Sequence, residues 1–598
     1  PAEWSAEWIS GGTMLRSSPF STRGGAMVSA TLLASGVGCF TLTINGQNVD
    51  TAYPTSRMDP GFSTAPRARL LYRAYDVLPL LLNGSSDDRN KAAASFVVGA
   101  RLGFCKYGFL YNECEGAHAT HAKCRAISLQ LTMTYADGTK QTVQTNTNAA
   151  NGSGGVAWTA TTSANPTRYT HLYHGEVFDA RLEQPGWDTF AAAVDATQTA
   201  TAWQPATAYP NPEKSRLDVL SLHKFPPMGV AAVVAPAKSW MVAAAVGNAS
   251  TRLLRRVFDF GNNYAGVTEV ALAGGAPGST LTMRHTEVAD DDDGRTGPVD
   301  NTFYIGDGKD CFDRVLIDGN CANQTDQLIL GTGATHVWSP LFTYHGFRYM
   351  QLEMTAADAA TIPGGIENIE VKLHHVHTMV DPAGGVEFSA RSAEGRTLNN
   401  IQKGYLQTQR NNLHSIPTDC PTREKRGWMA DAAVTAKSAL LNFRLSSLYA
   451  NWQRTMADTQ NIGCSSPAGS NVRGSTPGSP YTCCSPLSNV TNDWGCTGED
   501  FGGDLHGSLP TVVPEGRFTA YNPQDPSLSQ QPAWPGDPIW MAAVAILPLE
   551  HYRSTGDVSV AEAAYPAAKA LVEFYARHGD PLINFGAEND WLAIKACT

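Results

Sequence analysis

Residues 415–431 read Ser-Ile-Pro-Thr-Asp-Cys-Pro-Thr-Arg-Glu-Lys-Arg-Gly-Trp-Met-Ala-Asp and concentrate acidic, basic and aromatic side chains in one short span. The acids are Asp419, Glu424 and Asp431, and Trp428 lies between the last two. A carboxylic acid can protonate a glycosidic oxygen while a second carboxylate acts on the other side of the sugar. A tryptophan ring can cover the apolar C–H face of that sugar. The span is therefore a candidate sugar-cleaving site, and the simpler alternative is a polar helix-entry loop with Asp431 as N-cap.

Two further segments pair an acid with a tryptophan at the end of a predicted helix. Trp534-Pro535-Gly536-Asp537 precedes one helix, and Asn589-Asp590-Trp591 follows another. Such elements can converge on one mouth of a helical toroid, where carboxylates and rings suit a polyhydroxylated ligand. Each element alone is more often a helix cap beside a core tryptophan.

Other chemistries are disfavoured by the residue patterns, and we expect neither a metal ion nor a cofactor. Asp290–Asp293 is more typical of a solvated turn than of a calcium loop. His374, His375 and His377 lie in a strand pattern, in which successive side chains alternate between faces. The acids around Cys420 disfavour a nucleophilic thiolate. The chain also contains no Gly-rich phosphate loop and no Gly-x-Ser-x-Gly element.

Size and charge limit the classes of partner. A chain of 598 residues is expected to form two to four domains. A formal net charge of −11 argues against nucleic acid and anionic membranes as partners. No run approaches the ~18 apolar residues of a membrane span. The chain begins with Pro1 and shows no signal peptide, so we expect a processed protein or a fragment. The oligomeric state stays open.

Cysteine usage favours secretion, with a cytoplasmic location as the alternative. The 12 cysteines are too few for a disulfide scaffold, but several are spaced closely enough to form loop disulfides in an oxidising compartment. These groups are Cys105, Cys114 and Cys124; Cys311 and Cys321; and Cys464, Cys483, Cys484 and Cys496. Asn-x-Ser/Thr glycosylation triplets add weak support. They begin at Asn83, Asn151, Asn248, Asn323 and Asn489.

The first ~380 residues predict β structure, because short alternating segments are separated by Gly and Asx turns. Candidate strands are Val28–Leu33, Cys39–Ile44, Ile127–Tyr135, Val257–Phe260, Val267–Leu272, Phe347–Met354 and Ile369–Val376. Asn45-Gly46 supplies a hairpin turn after the second of these. We predict an N-terminal, jelly-roll-like β-sandwich of the carbohydrate-binding type over residues 1–200 and a central β-sandwich over 201–382.

Helical spacing begins after Pro382 and predicts an α-domain over residues 383–598. Helices are expected over 391–412, from near Asp431, over Leu448–Met456, over 538–553 and over 558–577. Residues 463–505 interrupt this pattern with Gly, Ser, Pro and four cysteines. We interpret them as an inserted, Cys-rich loop.

The span from Asp419 to Asp431 resembles the motif of the α-L-rhamnosidases of glycoside hydrolase family 78. The match is Asp419-Cys420-Pro421, then Arg423-Glu424, then Gly427-Trp428 and Asp431. Segments elsewhere are similar to the same family, so that the resemblance covers nearly the whole chain. They are Ser35–Asn48, Phe342–Tyr349, Pro532–Trp534 with Asp537, and Asp590–Ala593. The resemblance implies β-sandwich domains followed by an (α/α)6 toroid.

The resemblance also implies an activity, the inverting hydrolysis of terminal α-L-rhamnose from glycosides or polysaccharides. Glu424 corresponds to the general acid of the family. The other matched positions correspond to residues that bind rhamnose. They are Asp419, Arg423, Trp428, Asp431, Trp534, Asp537, Asp590 and Trp591.

A complete toroid of twelve helices needs more than ~250 residues, whereas about 215 follow Pro382. We therefore expect a partial toroid that is incomplete at its C-terminal side and lacks the family's general base. A non-catalytic carbohydrate-binding protein, or an inactive fragment, is the alternative function. If the base does lie within the chain, Glu499, Asp500 and Glu588 are the first candidates.

Overall fold

The computed structural model describes most of the chain between residues 4 and 577. The described ranges are 4–62, 69–83, 95–103, 105, 125–147, 156–161, 165–194, 203–209, 219–242, 252–288, 323–422, 424–460, 507, 509, 512–514 and 538–577. The predicted insertion 463–505 lies outside them. So do the Asp290–Asp293 run and all the grouped cysteines except Cys105.

The N-terminal unit is a β-sandwich of two sheets. The first contains β1 (Ile9–Ser10), β4 (Met27–Val37), β7 (Leu70–Asp76), β10 (Ala126–Tyr135), β11 (Lys140–Gln144), β16 (Thr207–Ala208) and β17 (Leu220–Leu222). The second contains β2 (Met14–Ser17), β5 (Cys39–Ile44), β6 (Gln47–Asn48), β9 (Val98–Gly103), β12 (Trp158–Thr161) and β15 (Trp203–Pro205). A short pair, β3 (Phe20–Ser21) and β8 (Ser95–Phe96), and a helix, α1 (Leu78–Asn83), accompany them.

Alternation of apolar residues produces the core between these sheets. Leu32 of β4 lies opposite Leu131 of β10, and both belong to the same buried cluster as Leu42 of β5. The predicted Asn45-Gly46 turn is confirmed. Both residues have positive φ and connect β5 to β6, as a two-residue hairpin requires.

The central unit is a ten-stranded sheet. Its strands are β13 (Thr167–His171), β14 (Gly175–Asp179), β18 (Met228–Val234), β19 (Lys238–Val242), β20 (Leu253–Ala273), β21 (Thr280–Thr286), β22 (Thr325–Ile329), β23 (Thr335–Trp338), β24 (His345–Thr355) and β25 (Glu370–Thr378). Helices α2 (Phe190–Val194) and α3 (Ala356–Ala359) and two 3-10 turns, Ala180–Leu182 and Gly365–Asn368, lie along this part of the chain. Strands β13 and β14 therefore belong to the central sheet although they precede residue 200, and β15, β16 and β17 belong to the N-terminal sheets although they follow it.

The long strand β20 corrects one prediction. Val257–Phe260 and Val267–Leu272 were expected as two strands, but they are the two halves of one. A register shift against β24 falls between Asp259 and Tyr264, and Gly261 has a φ of +81° there. A bulge therefore continues the strand where the sequence suggests a turn.

The helical unit follows the second β unit and confirms the predicted helices to within a few residues. Its helices are α4 (Ala393–Asn411), α5 (Met429–Asn442), α6 (Ser446–Thr459), α7 (Pro538–Met541), α8 (Ala543–Thr555) and α9 (Ser559–Arg577). Helix α8 packs against α5, α6 and α9. No helix in the described ranges has both the length and the apolar composition needed to cross a membrane.

One apolar cluster joins the helices to the β units. Trp452 of α6 and Leu547 of α8 share it with Tyr344, which precedes β24, and with Val376 of β25. The segment that connects α4 to α5 lies next to this cluster, and it carries most of the candidate site.

Candidate active site

The connection between α4 and α5 is held by backbone contacts at its start. Leu413 pairs with Pro417, and Thr418 N–H donates to the Asn412 carbonyl at 2.9 Å. Ser415 has a φ of +66° and donates its N–H to Thr378 Oγ1 at 2.7 Å. Its hydroxyl accepts the N–H of Phe62 from the N-terminal unit at 3.0 Å. The loop is therefore positioned by both β units before it reaches the acids.

A second turn brings Glu424 back beside Asp419. Asp419 N–H donates to the Arg426 carbonyl at 3.0 Å, and Arg426 N–H donates to Asp419 Oδ1 at 2.9 Å. Glu424 N–H donates to Cys420 Sγ at 3.3 Å. A carboxyl oxygen of Asp419, the Sγ atom of Cys420 and a carboxyl oxygen of Glu424 all lie within 4.8 Å of one another. The motif thus places two carboxyl groups and a thiol in one half-buried cluster.

Trp428 fixes the head group of the proposed acid. Its indole Nε1–H donates to Glu424 Oε2 at 2.7 Å. The ring meets Trp540 edge-on at a centroid distance of 6.3 Å, and the Trp428 backbone forms a β-bridge with Val512. The side chain expected only to cover a sugar thus also orients Glu424.

Lys425 holds the same turn against the central β unit. It is 0% exposed, and its Nζ donates to the Leu172 carbonyl at 2.6 Å and to the Tyr344 carbonyl. The ammonium lies 4.4 Å from the centroid of the Tyr344 ring. Tyr173 Oη donates to the Glu424 carbonyl at 2.7 Å. These contacts tie the backbone of the acid to the central β unit on both sides of the peptide.

Burial sets the protonation of the cluster. Burial first, and the Glu424 charge second, raise the pKa of Asp419 to about 7. Burial and the charges of Asp419 and Glu424 raise the pKa of the Cys420 thiol to about 12, so a nucleophilic thiolate is disfavoured. Burial lowers the pKa of Lys425 to about 7. Near pH 7 the Asp419 carboxyl group is therefore partly protonated.

Asp431 does not cap its helix. Helix α5 begins at Met429 with Trp428 at the N-cap, which places Asp431 in the first turn. A negative charge there interacts favourably with the helix dipole. The N-cap interpretation is wrong because the helix starts three residues earlier, with Trp428 rather than Asp431 at the N-cap. Desolvation at the helix start, and then the Glu424 charge, raise the pKa of Asp431.

The spacing of the two carboxyl groups limits what they can do. An inverting glycosidase needs about 6.5–9.5 Å between its acid and its base, and a retaining enzyme needs about 5–5.5 Å. The closest oxygens of Asp419 and Glu424 lie within 4.8 Å, which is shorter than the separation between the acid and the base of an inverting enzyme. The pair is suited to holding a proton and a sugar hydroxyl on one face.

A separate buried group lies beneath Lys425. His345 Nε2 is 2.9 Å from Asp326 Oδ2, and His285 stacks on His345 at 4.5 Å. Their potential metal-ligand atoms lie within 4.8 Å of one another. However, the nitrogens of His285 already contact Thr268 Oγ1 at 3.0 Å and the Gln324 carbonyl at 2.9 Å. The group fits a hydrogen-bonded network better than a metal site.

The predicted histidine positions also have separate contacts. His374 lies against Arg57, His375 against Asn411 at 3.1 Å, and His377 against the Thr378 carbonyl at 2.7 Å. The rings of His375 and His377 meet edge-on at 4.7 Å, but among the described residues the three histidines do not form one group of potential metal ligands.

Of the nine predicted site residues, the structure brings Asp419, Glu424, Trp428 and Asp431 together. The other five lie outside the described residues, as do the candidate bases Glu499, Asp500 and Glu588. Those five are Arg423, Trp534, Asp537, Asp590 and Trp591. Sequence reasoning missed Lys425, Tyr173 and Tyr344. The only available signal was a lysine within the motif, since the tyrosines come from distant strand ends.

Three family models match consecutive parts of the chain. The α-L-rhamnosidase N-terminal domain matches residues 25–223, and the bacterial α-L-rhamnosidase concanavalin-like domain matches residues 250–372. The bacterial α-L-rhamnosidase 6 hairpin glycosidase domain matches residues 387–596. The last match includes all nine predicted site residues.

Curated relatives and solved structures agree with these matches. The chain is 26% identical over 439 residues to an α-L-rhamnosidase of Formosa agariphila, covering 73% of this chain and 39% of that protein. It is 22% identical over 584 residues to an α-L-rhamnosidase of Alteromonas sp. (strain LOR), covering 95% of this chain and 47% of that protein. The chain thus spans less than half the length of these curated relatives.

The solved structures share the fold. An α-L-rhamnosidase from Dictyoglumus thermophilum superposes with a TM-score of 0.65 at 23% identity, covering 96% of this chain and 52% of that one. The Streptomyces avermitilis α-L-rhamnosidase complexed with L-rhamnose superposes with a TM-score of 0.64 at 21% identity. The match covers 96% of this chain and 42% of that one. At these identities the likeness establishes β domains followed by a six-hairpin helical domain.

Proposed function

The chain belongs to the α-L-rhamnosidase family, and on that premise we propose that it hydrolyses terminal α-L-rhamnose residues of glycosides or polysaccharides. The observation that carries the proposal is the environment of Glu424. Its carboxyl group is held by the Trp428 indole at 2.7 Å and lies beside Asp419, in a loop anchored to the β domains. A positioned carboxyl group of this kind suits general acid catalysis.

In the proposed reaction Glu424 donates a proton to the glycosidic oxygen as the bond to the anomeric carbon breaks. Asp419 holds a rhamnose hydroxyl and is itself partly protonated near pH 7, because burial and the Glu424 charge raise its pKa to about 7. A carboxylate on the opposite face of the sugar activates water, which inverts the anomeric configuration. Asp419 is too close to Glu424 to take that role.

The test is hydrolysis of p-nitrophenyl α-L-rhamnoside by a full-length wild type that includes a general base and by its Glu424→Gln variant. General acid catalysis contributes about 10²–10⁴-fold, so the variant should lose at least about a hundredfold in rate. Glu394→Gln, an exposed position on α4, is the matched control and should retain the wild-type rate. Equal rates for wild type and Glu424→Gln would rule out the acid assignment.

Two further measurements refine the result. The anomeric configuration of the first sugar released, followed by NMR, is expected to be inverted. A wild type that binds rhamnose but releases no p-nitrophenol would instead support the alternative of a carbohydrate-binding protein.

We also propose that the protein matures in an oxidising, secretory compartment. The support is the disulfide between Cys39 and Cys105, which joins residues 66 apart in the sequence within the N-terminal sandwich. The sequence had suggested loop disulfides among neighbouring cysteines, whereas Cys105 pairs with a cysteine at the start of β5. Mass spectrometry of alkylated protein from the native source tests this: a fully reduced Cys39 would contradict it.

A further inference from the structure

A cleft lies between the N-terminal sandwich and the central β unit, away from the loop that carries Glu424. Its volume is about 410 Å³, within the range of ligand pockets, about 300–1,000 Å³. Residues of β5 and β9 line one side, and residues of β18 and β25 line the other. None of the lining residues belongs to the Asp419–Glu424 cluster. The cleft is therefore a separate candidate site.

Arg57 lines this cleft, and its guanidinium group makes fewer hydrogen bonds than it has N–H donors. Only 9% of the residue is exposed, and it donates to the Pro340 carbonyl at 2.7 Å and to Ser339 Oγ and His374 Nδ1 at 3.3 Å. A guanidinium has five N–H donors, so two of them have no partner among the described residues. Burial lowers the pKa of Arg57 to about 10, which leaves it cationic at neutral pH.

No carboxylate neutralises Arg57 directly in the described part of the chain. Glu176 and Glu269 act on it only at longer range. His374 accepts from Arg57, and its other ring nitrogen lies 3.4 Å from Glu269 Oε2. The neutral imidazole thus separates the arginine from the nearest acid. A buried cation without a direct counterion is costly, and a bound anion would offset that cost.

Arg101 supplies a second cation to the same cleft. It is half-buried on β9, and its guanidinium lies 5.8 Å from the centroid of the Trp187 ring. Among the described residues its side chain makes no direct ion pair and no hydrogen bond, and the Glu176 carboxyl group acts on it only at longer range. The acid in the lining, Asp188, accepts instead from Thr43 Oγ1 at 2.6 Å. Arg73 and Arg348, by contrast, each pair with an aspartate.

We propose that this cleft binds an anionic sugar unit, whose carboxylate or sulfate lies between Arg57 and Arg101. Guanidinium groups bind such anions through paired charge-assisted hydrogen bonds. Thr41, Asn48 and Ser56 line the same cleft and can bind sugar hydroxyls. The choice of a sugar rests on the proposed function, whereas the requirement for an anion rests on the two arginines alone. The cleft would hold an acidic neighbouring unit of a rhamnose-containing polysaccharide.

The test is calorimetric titration of the protein with D-glucuronate, with D-glucose 6-sulfate and with neutral D-glucose. Saturable binding of either anion without binding of glucose supports the proposal, and the anion that binds identifies a carboxylate or a sulfate ligand. Arg101→Gln should weaken that binding by at least about tenfold, the effect of losing a hydrogen bond to a charged group. Arg23→Gln removes the same charge from an exposed position of the same sandwich and should bind like the wild type.

Several results would overturn the proposal: no saturation with either anion, equal binding of glucose, or unchanged affinity in Arg101→Gln. If Arg101→Gln fails to fold, the selectivity of the wild type for anions over glucose still decides. The titration does not involve Glu424, so failure of aryl-rhamnoside hydrolysis leaves the binding result standing. Loss of anion binding likewise leaves the hydrolysis result standing.

Discussion

Lys425 shows how a residue inside a catalytic motif can act through the backbone. Its neighbour Glu424 faces the cluster, while the lysine turns away into the β unit with a φ of +51°. Burying an ammonium costs free energy, and hydrogen bonds to two carbonyls and two flanking tyrosine rings offset part of that cost. The lysine therefore holds the peptide that carries the proposed acid.

Lys425→Met should destabilise the protein in a pH-dependent way. Burial lowers the folded pKa of Lys425 from 10.5 to about 7, so between these values the unfolded chain binds more protons. Wild-type stability from this group therefore rises as the pH increases from about 7 towards 10. The variant lacks this titration, and it loses at least one hydrogen bond to a buried carbonyl, about 1–3 kcal/mol.

Urea unfolding of the wild type and Lys425→Met at pH 7 and pH 9 measures this difference. We expect the stability gap to be larger at pH 9. Lys403→Met, at an exposed position on α4, is the control and should show no gap at either pH. A gap that shrinks as the pH rises would contradict the lowered pKa.

At the scale of elements, the motif loop depends on close approaches that only glycine permits. A Cβ on Gly427 would lie 1.9 Å from the Val513 carbonyl oxygen, and one on Gly346 of β24 would lie 2.5 Å from Thr422 Cγ2. Val513 N–H also donates to the Gly427 carbonyl at 2.9 Å. Residues 512–514 and strand β24 thus contact the loop closely from two sides.

Gly427→Ala should therefore separate the loop from residues 512–514. We expect a loss of about 2–4 kcal/mol in the free energy of unfolding and at least a tenfold loss in rhamnoside hydrolysis, because Trp428 and Glu424 move with the loop. Gly404→Ala is a matched control, since a Cβ there meets nothing within 4 Å on helix α4. That change should be neutral or stabilising by up to about 1 kcal/mol. Equal effects of the two substitutions on melting temperature and rate would contradict this account.

Local sequence patterns predicted most elements and the grouping of Asp419, Glu424, Trp428 and Asp431. Strand β5, its hairpin turn and helix α4 follow from periodicity within a few residues, because alternation and turn chemistry act locally. Periodicity did not predict that β20 is a single strand, because a bulge within a strand resembles a turn in the sequence. Tyr173 and Arg57 could not be assigned roles, since their partners lie 251 and more residues away.

At the scale of the whole molecule, Arg69 connects the N-terminal sandwich to the helical domain. Its guanidinium donates to Asp458 at 2.5 Å, to Asn451 Oδ1 at 3.1 Å and to Thr455 Oγ1 at 3.1 Å, all on α6. The arginine precedes β7 and is buried. One side chain thus couples the sandwich to the helix whose Trp452 donates to the Val513 carbonyl at 2.9 Å, next to the motif loop.

Arg69→Met should weaken this coupling. Breaking a buried ion pair costs about 3–5 kcal/mol, and because Asp458 is partly exposed we expect a loss of about 2–3 kcal/mol. Arg181→Met removes a pair with Asp179 in which the arginine side chain is half-exposed, and it should cost about 1 kcal/mol, less than Arg69→Met. Calorimetric unfolding should show a lower melting temperature for Arg69→Met, with separate transitions for the sandwich and the helices. If Arg69→Met unfolds like Arg181→Met in one unchanged transition, the coupling resides instead in the apolar contacts between the units.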